Sequence, residues 1–375
     1  MIAARLAAYY GVMFFLIGVM VPFWPVWMKS RGLTPEDIGV VMAIGMLMKV
    51  WANPLVASYA DRSGERRRPL IILSLTACVA FALFWYATDF WPILAVTMVF
   101  FLCWSPTMPL IETLTMQLAS GGRMDYGRIR LWGSLTFIVA AWGGGWVLTG
   151  RDEDIIYWII LGSAIAVVIS AICLPDAQLA KSEAGRSWVP FLTVLKDRTF
   201  LWFILATGLI QTSHVIYYAF GTIHWQNVGH SEAVIGWLWA EGIIIEVILF
   251  SQGNKVIARI GPARLIAIAG LAGLIRWAGT GLTDALPALL VLQVLHGITF
   301  GAAHLGAIHF IAQRMDASIS ATAQSVYAAA VSGIGFSLVS LFSGHMFAQW
   351  AGGAYLPMAA MAGLGGIIAF QLRRR

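Results

Sequence analysis

Apolar segments long enough to cross a lipid bilayer recur along the whole chain of 375 residues. A helix needs about 20 apolar residues to cross ~30 Å of hydrocarbon, and about twelve segments meet this requirement. They cover approximately 6–27, 37–60, 70–88, 91–117, 129–149, 155–174, 199–226, 233–253, 264–281, 286–311, 323–347 and 354–372. Because these segments are continuously apolar rather than alternating, they predict membrane-spanning helices and not barrel strands.

The overall composition also favours a membrane protein. Only 11% of the residues are charged, against about 25% in soluble domains, whose cores need a polar surface around them. The net charge of +6 does not indicate a nucleic-acid partner, because no basic stretch carries interleaved base-stacking residues. Cys78, Cys103 and Cys173 lie inside apolar segments without metal-ligand spacing, so no metal site is expected.

The distribution of Lys and Arg predicts the orientation. When both termini are placed in the cytoplasm, most of the 24 basic residues fall in or beside cytoplasmic segments, and the opposite loops are acidic. This is the bias that cytoplasmic loops of membrane proteins show. The apolar segment 6–27 is too long for a signal-peptide core and is expected to be retained as a span. We therefore expect a multi-pass protein of the inner or plasma membrane with both termini cytoplasmic.

A polar stretch at 175–198 divides the chain into two halves. It predicts an N-terminal six-helix bundle at 1–174, a cytoplasmic linker and a C-terminal six-helix bundle at 199–375. A weak internal repeat with an offset of roughly 190 residues supports this division. The matched residues are Asp61-Arg62 with Asn254-Lys255, and Asp125 with Asp316.

The loop after the second span reads Asp61-Arg62-Ser63-Gly64-Glu65-Arg66-Arg67-Arg68. It resembles the signature of the major facilitator superfamily, in which an aspartate at a helix end and the following basic residues lock the cytoplasmic side. The resemblance implies a gating loop that contains Asp61, Arg62, Gly64 and Arg66. Ala57 stands where the signature usually begins with glycine, so a looser helix contact is expected there.

A second resemblance is to the phenylpropionic-acid transporter family, which is related to the lactose permease. It rests on the stretch YGRIRLWGS at 126–134 and on the run from Arg276 through His296 to His304. It covers most of the chain and is strongest from about 200 to 330. It implies an all-α membrane protein of twelve transmembrane helices in two six-helix pseudo-symmetric halves, the major facilitator fold.

The same resemblance implies roles for individual residues. Glu112 and Arg130 fall on the substrate-binding pair of the lactose permease, and Arg276 and His296 fall on its proton-coupling site. Four positions depart from that protein, and they imply a rearranged coupling chemistry and a substrate other than a galactoside. Thr299 replaces a proton-carrying glutamate, His214 and Tyr217 occupy the aspartate positions on span seven, and Gln293 replaces a lysine.

Ionisable residues inside the spans indicate pairs even without the family. Each costs a few kcal/mol in a membrane, so each needs a partner or a function. Glu112 and Arg130 are equidistant from the turn after span four, and Glu246 and Arg276 from the turn after span eight. Since both helices of a hairpin rise 1.5 Å per residue, the members of each pair lie level. This favours Glu246 over Glu241 as the partner of Arg276. Purely structural neutralisation of buried charge stays open as an alternative for both pairs.

Two further residues extend these groups. Lys49 lies in the middle of the second span and has no counterpart in the lactose permease. With Arg130 it could hold a carboxylate, and the alternative is a structural pair with Glu112. His304 lies two turns beyond His296 and is expected to line the same cavity, with an ordinary interior hydrogen bond as the alternative.

These observations predict proton-coupled import of a small organic substrate by alternating access. The resemblance and Lys49 favour an aromatic monocarboxylate such as a phenylpropionate-like acid. The residues expected to bind substrate are Glu112, Arg130, Lys49, His214 and Tyr217. The residues expected to couple protons are Glu246, Arg276, His296 and His304.

Other functions are left open or disfavoured. The alternatives are a sugar or nucleoside proton symporter, a drug/proton efflux antiporter and a non-transporting membrane receptor. No P-loop, nucleophile elbow or HExxH motif is present, so an enzyme is not expected and no residue is assigned a catalytic role. We expect no cofactor other than the coupling proton, and a monomer in the lipid bilayer whose partners are its substrate and protons.

Overall fold

The computed structural model describes residues 1–120, 124–175 and 189–372, and every regular element in these ranges is a helix. The helices up to Pro175 are α1 (Ile2–Ser30), α2 (Pro35–Ser63), α3 (Arg67–Ala82), α4 (Phe90–Trp104), α5 (Thr107–Ala119), α6 (Tyr126–Leu148) and α7 (Asp154–Ile172). Those that follow are α8 (Val189–Lys196), α9 (Arg198–Thr212), α10 (Val215–Asn227), α11 (Glu232–Ser251), α12 (Gly253–Ile260), α13 (Pro262–Leu282), α14 (Leu286–Val294), α15 (Ala303–Arg314), α16 (Ala317–Ala328), α17 (Phe336–Trp350) and α18 (Tyr355–Leu372).

Eleven helical stretches are long and apolar enough to cross a membrane. Ten of them coincide with the first ten predicted spans. The eleventh, Thr322–Leu372, has 51 residues, about twice the length that one crossing needs. It breaks at Ala351, whose φ of 45° lies in the left-handed region. It therefore supplies the last two predicted spans, and the described chain contains the twelve expected.

Several spans are interrupted, and the interruptions have local causes. Span four breaks between α4 and α5 at Pro106, which has no backbone N–H to donate to the helix ladder. Span seven breaks between α9 and α10 at His214. Spans ten and eleven each contain a π-helical turn, at Gly297–Ala302 and Ala329–Gly335. Such turns often occur at functional sites.

The contacts group the described residues into two compact units. The N-terminal unit contains the described residues up to Pro175 together with His230–Ala240. The C-terminal unit contains the segments from Val189 to Gly229 and from Glu241 to Leu372. Most of the predicted linker 175–198 lies outside the described residues, and its end forms α8 and the start of α9.

In the N-terminal unit, α1 packs against α6 and α7. Gly18 allows the backbone of α6 to approach so closely that a Cβ at this position would collide with Phe137. At the other end of α1, Asp154 accepts hydrogen bonds from Trp27 Nε1 (3.1 Å) and Arg31 Nη2 (2.6 Å). These contacts fasten the last turn of α1 to the first turn of α7.

In the C-terminal unit, α13 packs against α18 through two glycines. A Cβ on Gly270 would collide with the backbone of Gly366, so the two helices touch at their main chains. Stacked rings extend the core, with Phe203 of α9 and Phe310 of α15 at a centroid separation of 4.6 Å. This packing positions α13, the helix that carries Arg276.

Asp197 joins two helices of this unit at their ends. Its carboxylate caps α9 by accepting hydrogen bonds from the backbone N–H groups of Thr199 (2.8 Å) and Phe200 (3.3 Å). It also accepts one from Arg314 Nε of α15 at 3.1 Å. Burial alone would raise the pKa of the Asp197 carboxyl, but these hydrogen bonds outweigh it and hold the pKa below its ordinary value of 3.8. The charged carboxylate is therefore the form that the fold stabilises.

We expect this contact to make the thermal stability of the protein acid-sensitive. Because the folded pKa is depressed, the stabilisation is complete above about pH 4 and is lost as the pH falls through the folded pKa. Asp197→Ala should cost about 1 kcal/mol near neutral pH, as lost helix caps do, and should weaken the acid dependence. Thermal unfolding of the purified protein between pH 3 and 7 measures both effects.

Asp316→Ala is the matched control, because Asp316 precedes α16 without a side-chain capping hydrogen bond. Its melting temperature should stay near that of the unmodified protein. Equal losses in the two variants would contradict the role given to Asp197.

Candidate functional site

Arg276 lies on α13 in the C-terminal unit and is 1% exposed. It donates hydrogen bonds to Gln293 Oε1 (2.5 Å), Thr299 Oγ1 (3.1 Å) and His296 Nδ1 (3.0 Å). All three acceptors are on span ten. The positive charge is thus held by neutral groups at hydrogen-bond distance.

Two aromatic faces complete this environment. The ring centroids of Tyr217 and Trp277 lie 4.8 and 4.3 Å from the guanidinium carbon of Arg276, within the range of cation–π attraction. Trp277 is fixed in turn by a hydrogen bond from its Nε1 to Ser213 Oγ (2.9 Å). Among the described residues, no carboxylate lies within 4.0 Å of Arg276.

The predicted pair of Glu246 with Arg276 is therefore wrong. Glu246 Oε2 lies instead 3.7 Å from His296 Nε2, and the imidazole stands between the two charges. The physical reason is helix rotation, which equal distance from a turn does not determine. Gly242 lets the His296 ring pack against α11, where a Cβ would lie only 3.1 Å from the ring.

The donor and acceptor chemistry determines the state of His296. Arginine carries only donors, so Nδ1 of His296 must accept from Arg276 and cannot carry a proton. The proton of the neutral imidazole is therefore on Nε2, the nitrogen that faces Glu246. A second proton can enter the ring only after Arg276 has left Nδ1.

His214 and Tyr217 belong to the same packed layer. His214 is fully buried, with Nδ1 donating to the carbonyl oxygens of Ile210 and Gln211 and Nε2 3.2 Å from Thr299 Oγ1. Tyr217 is 1% exposed. Both predicted substrate residues thus support the Arg276 cluster, and direct contact with substrate stays a prediction.

His304 makes no described contact with Arg276. It lies within electrostatic range of Glu246, and its ring centroid is 6.5 Å from that of Phe250. Its role in proton coupling stays a prediction.

In the N-terminal unit, Glu112 of α5 and Arg130 of α6 come together as the hairpin spacing indicated. Glu112 Oε1 and Arg130 Nε are 3.8 Å apart, and the two side chains are 36% and 28% exposed. The Arg130 guanidinium lies 4.0 Å from the ring centroid of Phe14 and 5.6 Å from that of Tyr10. This loose ion pair is partly exposed beside two rings, so its polar atoms are accessible to a ligand.

Lys49 is separate from this pair, and the alternative of a structural pair with Glu112 is not realised. Its ammonium lies 5.7 Å from the ring centroid of Phe101 on α4. Within the described residues no carboxylate approaches it to 4.0 Å.

The predicted gating loop is partly assembled. Gly64 ends α2 with a φ of 74°, a conformation that glycine adopts without strain. The chain then turns so that Arg66 Nη2 lies 2.5 Å from Asp61 Oδ1, and Arg66 Nη1 also donates to the carbonyl of Ala60. Arg62 is exposed and makes no such contact in the described structure.

Sequence reasoning treated Gln293 and Thr299 as departures from a pattern, whereas both contact Arg276 directly. The spacing could have indicated this, because Gln293, His296 and Thr299 recur every three residues and so share a helix face. Trp277 gave no such signal, since it follows Arg276 immediately in the sequence.

Removing one acceptor from Arg276 should be costly. Gln293→Leu leaves a buried guanidinium N–H without a partner, which costs about 1–3 kcal/mol. We expect a lower melting temperature in detergent, and no comparable loss for Gln252→Leu, whose side chain is exposed. An unchanged melting temperature for Gln293→Leu would show that water or a neighbour satisfies the arginine instead.

Comparison with known proteins identifies the family. The model of the MFS_1 like family matches residues 3–356. The chain is 30% identical over 361 residues to the probable 3-phenylpropionic acid transporter of Escherichia coli (strain K12), covering 95% of this chain and 94% of that protein. It is 25% identical to the maltose permease of Geobacillus stearothermophilus, covering 98% and 93%. A crystal structure of a point mutant of the nucleoside transporter NupG superposes with a TM-score of 0.88 at 18% identity, covering 100% and 99%. The chain therefore belongs to the MFS_1-like family and is a multi-pass secondary transporter with the major facilitator fold.

Proposed function

We propose that this transporter is a proton-coupled symporter that imports an aromatic monocarboxylate of the phenylpropionate type. Its two halves alternate access to a site at the bilayer midplane, and both termini lie in the cytoplasm. The observation that carries the coupling is the chain of contacts from Arg276 through His296 to Glu246.

These contacts provide a site for one proton, and the position of Arg276 controls whether His296 can take part in its transfer. Glu246 is an acid inside a span, where an uncompensated charge costs several kcal/mol. His296, whose Nε2 lies 3.7 Å from Glu246 Oε2, stays neutral as long as Arg276 occupies Nδ1. Protonation of Glu246 removes the charge of its carboxylate. When Arg276 departs, Nδ1 of His296 can take up a proton, and the ring can then pass its Nε2 proton to the Glu246 carboxylate and return to the neutral form. Movement of Arg276 and transfer of the proton are thus linked.

The N-terminal unit supplies the substrate groups. Glu112 and Arg130 are half-exposed and lie beside the rings of Phe14 and Tyr10. Rings and a guanidinium suit a ligand that has an aromatic body and polar ends. The similarity to the probable 3-phenylpropionic acid transporter supports the same substrate class.

A sugar or nucleoside symporter is the second candidate. The Glu112–Arg130 pair favours it, because a carboxylate and a guanidinium side by side can hydrogen-bond the hydroxyl groups of a neutral ligand. The similarity to a maltose permease agrees with this reading. The two candidates differ in whether the substrate carries a negative charge.

Uptake into proteoliposomes separates the candidates. Labelled 3-phenylpropionate should accumulate when the outside is made acidic, and accumulation should stop when a protonophore removes the pH gradient. Liposomes without protein correct for diffusion of the neutral acid through the bilayer. Uptake of maltose or a nucleoside without uptake of any aromatic acid would establish the second candidate.

The coupling residue is tested by Glu246→Gln, which keeps the side-chain size and removes the titrating group. We expect loss of accumulation driven by a pH gradient, with equilibrium exchange of labelled for unlabelled 3-phenylpropionate retained. Glu232→Gln is the control, because Glu232 is also on α11 but lies in its first turn, fourteen residues before Glu246. Normal gradient-driven accumulation in Glu246→Gln would mean that another group carries the proton.

A further inference from the structure

Lys49 is a cation inside a span, and no carboxylate among the described residues lies within ion-pair distance of it. It is the central residue of α2, fourteen residues from either end of the helix. In the described structure its ammonium makes no hydrogen bond and has no carboxylate within 4.0 Å. Its described contact is a cation–π interaction with the Phe101 ring. A lysine at such depth costs a few kcal/mol unless something neutralises it.

Arg130, the other cation inside the spans of this unit, does have a carboxylate nearby. Arg130 lies 3.8 Å from Glu112, so those two charges cancel locally. The intramembrane groups of the N-terminal unit therefore leave one positive charge over, at Lys49. An anion would neutralise this charge, and the described residues do not place one beside Lys49.

The C-terminal unit contains the same helix pair with the opposite charge. Gly45 of α2 packs against the Phe101 ring, where a Cβ would lie 2.9 Å from it, and Gly242 of α11 packs against the His296 ring in the same way. One turn after each glycine comes a charged residue that contacts that same ring, namely Lys49 or Glu246.

The positions along the spans also agree. Each charged residue lies fourteen positions after the first residue of its helix, Pro35 of α2 or Glu232 of α11. Each unit thus has a glycine, a ring from the partner span and a charge at the same distance along the helix. Only the sign of the charge differs.

We propose that Lys49 is the anchor for the carboxylate of the substrate, with Phe101 as the ring beside it, and that it is the N-terminal counterpart of the proton site at Glu246. This assignment rests on the proposed function and sharpens it. Substrate binding neutralises Lys49 by an ion pair, and a proton neutralises Glu246. One monoanion and one proton then cross together, so the transport cycle moves no net charge.

At this position Lys49 would favour an anionic ligand over a neutral one. A neutral sugar or amide could donate and accept hydrogen bonds there but would leave the ammonium charge uncompensated in the span. A carboxylate forms a charge-assisted hydrogen bond as well as an ion pair. The site therefore selects against neutral analogues of the same shape.

The test uses the full-length protein in proteoliposomes with labelled 3-phenylpropionate, and with unlabelled 3-phenylpropionate or its neutral amide as competitors. The unmodified protein should prefer the acid to the amide. Lys49→Gln should weaken competition by the acid roughly tenfold or more, as loss of a charge-assisted contact does, and should not weaken competition by the amide. Lys49→Arg should keep the preference for the acid. Arg5→Gln, which removes an exposed charge from the same unit, should leave both competitors unchanged.

A second measurement tests the charge balance. With no pH gradient, a valinomycin-induced potassium potential should not drive accumulation of 3-phenylpropionate in either direction, whereas an acidic outside should. Accumulation driven by the potential alone would overturn one-to-one electroneutral coupling.

The outcomes distinguish this inference from the function on which it rests. If the unmodified protein carries 3-phenylpropionate and Lys49→Gln keeps the same preference for the acid, the carboxylate anchor is elsewhere, while the proposed function stands. If the unmodified protein carries neutral sugars or nucleosides and no aromatic acid, both fail. Should Lys49→Gln not fold, equal competition by acid and amide in the unmodified protein would still overturn the role of Lys49.

Discussion

A buried guanidinium held by neutral groups is the interaction around which the C-terminal unit is arranged. Arg276 cannot lose its charge, and its site is closed to solvent. Spans seven, nine and ten therefore meet as a set of oriented acceptors and ring faces. Removing any one of the three acceptors would leave a buried N–H group of Arg276 without a hydrogen-bond partner.

This arrangement explains how the chain manages without the acidic residue that the lactose-permease pattern places at Thr299. A hydroxyl at that position accepts from Arg276 and does not neutralise it. The missing charge is not replaced in the same place. An acid on a neighbouring helix, Glu246, is reached through an imidazole. Both replacements put a neutral acceptor for Arg276 where the lactose-permease pattern has a charged residue, Thr299 in place of a glutamate and Gln293 in place of a lysine.

Much of the architecture follows from the sequence, because apolar length and the period of the helix determine where spans lie and which residues share a depth. Twelve spans and the level pairing of Glu112 with Arg130 are both confirmed by the structure. Depth alone cannot tell which way a helix faces, and the pairing of Glu246 with Arg276 failed for that reason. The rotation of α11 is determined by Gly242, whose missing side chain admits the His296 ring. No periodicity in the sequence encodes such a contact.

The π-helical turn at Gly297–Ala302 has a further consequence, because it directly follows His296. Such a turn holds one residue more than an α-helical turn. Suppose that the extra residue moved one turn toward the N-terminal end of the span, past His296. The residues that it passed, His296 among them, would then rotate by about 100°, the angular step of one residue. The ends of the span would stay in place while His296 turned away from Arg276. The span can thus uncouple its ring from the arginine through an internal change of winding, without tilting as a whole.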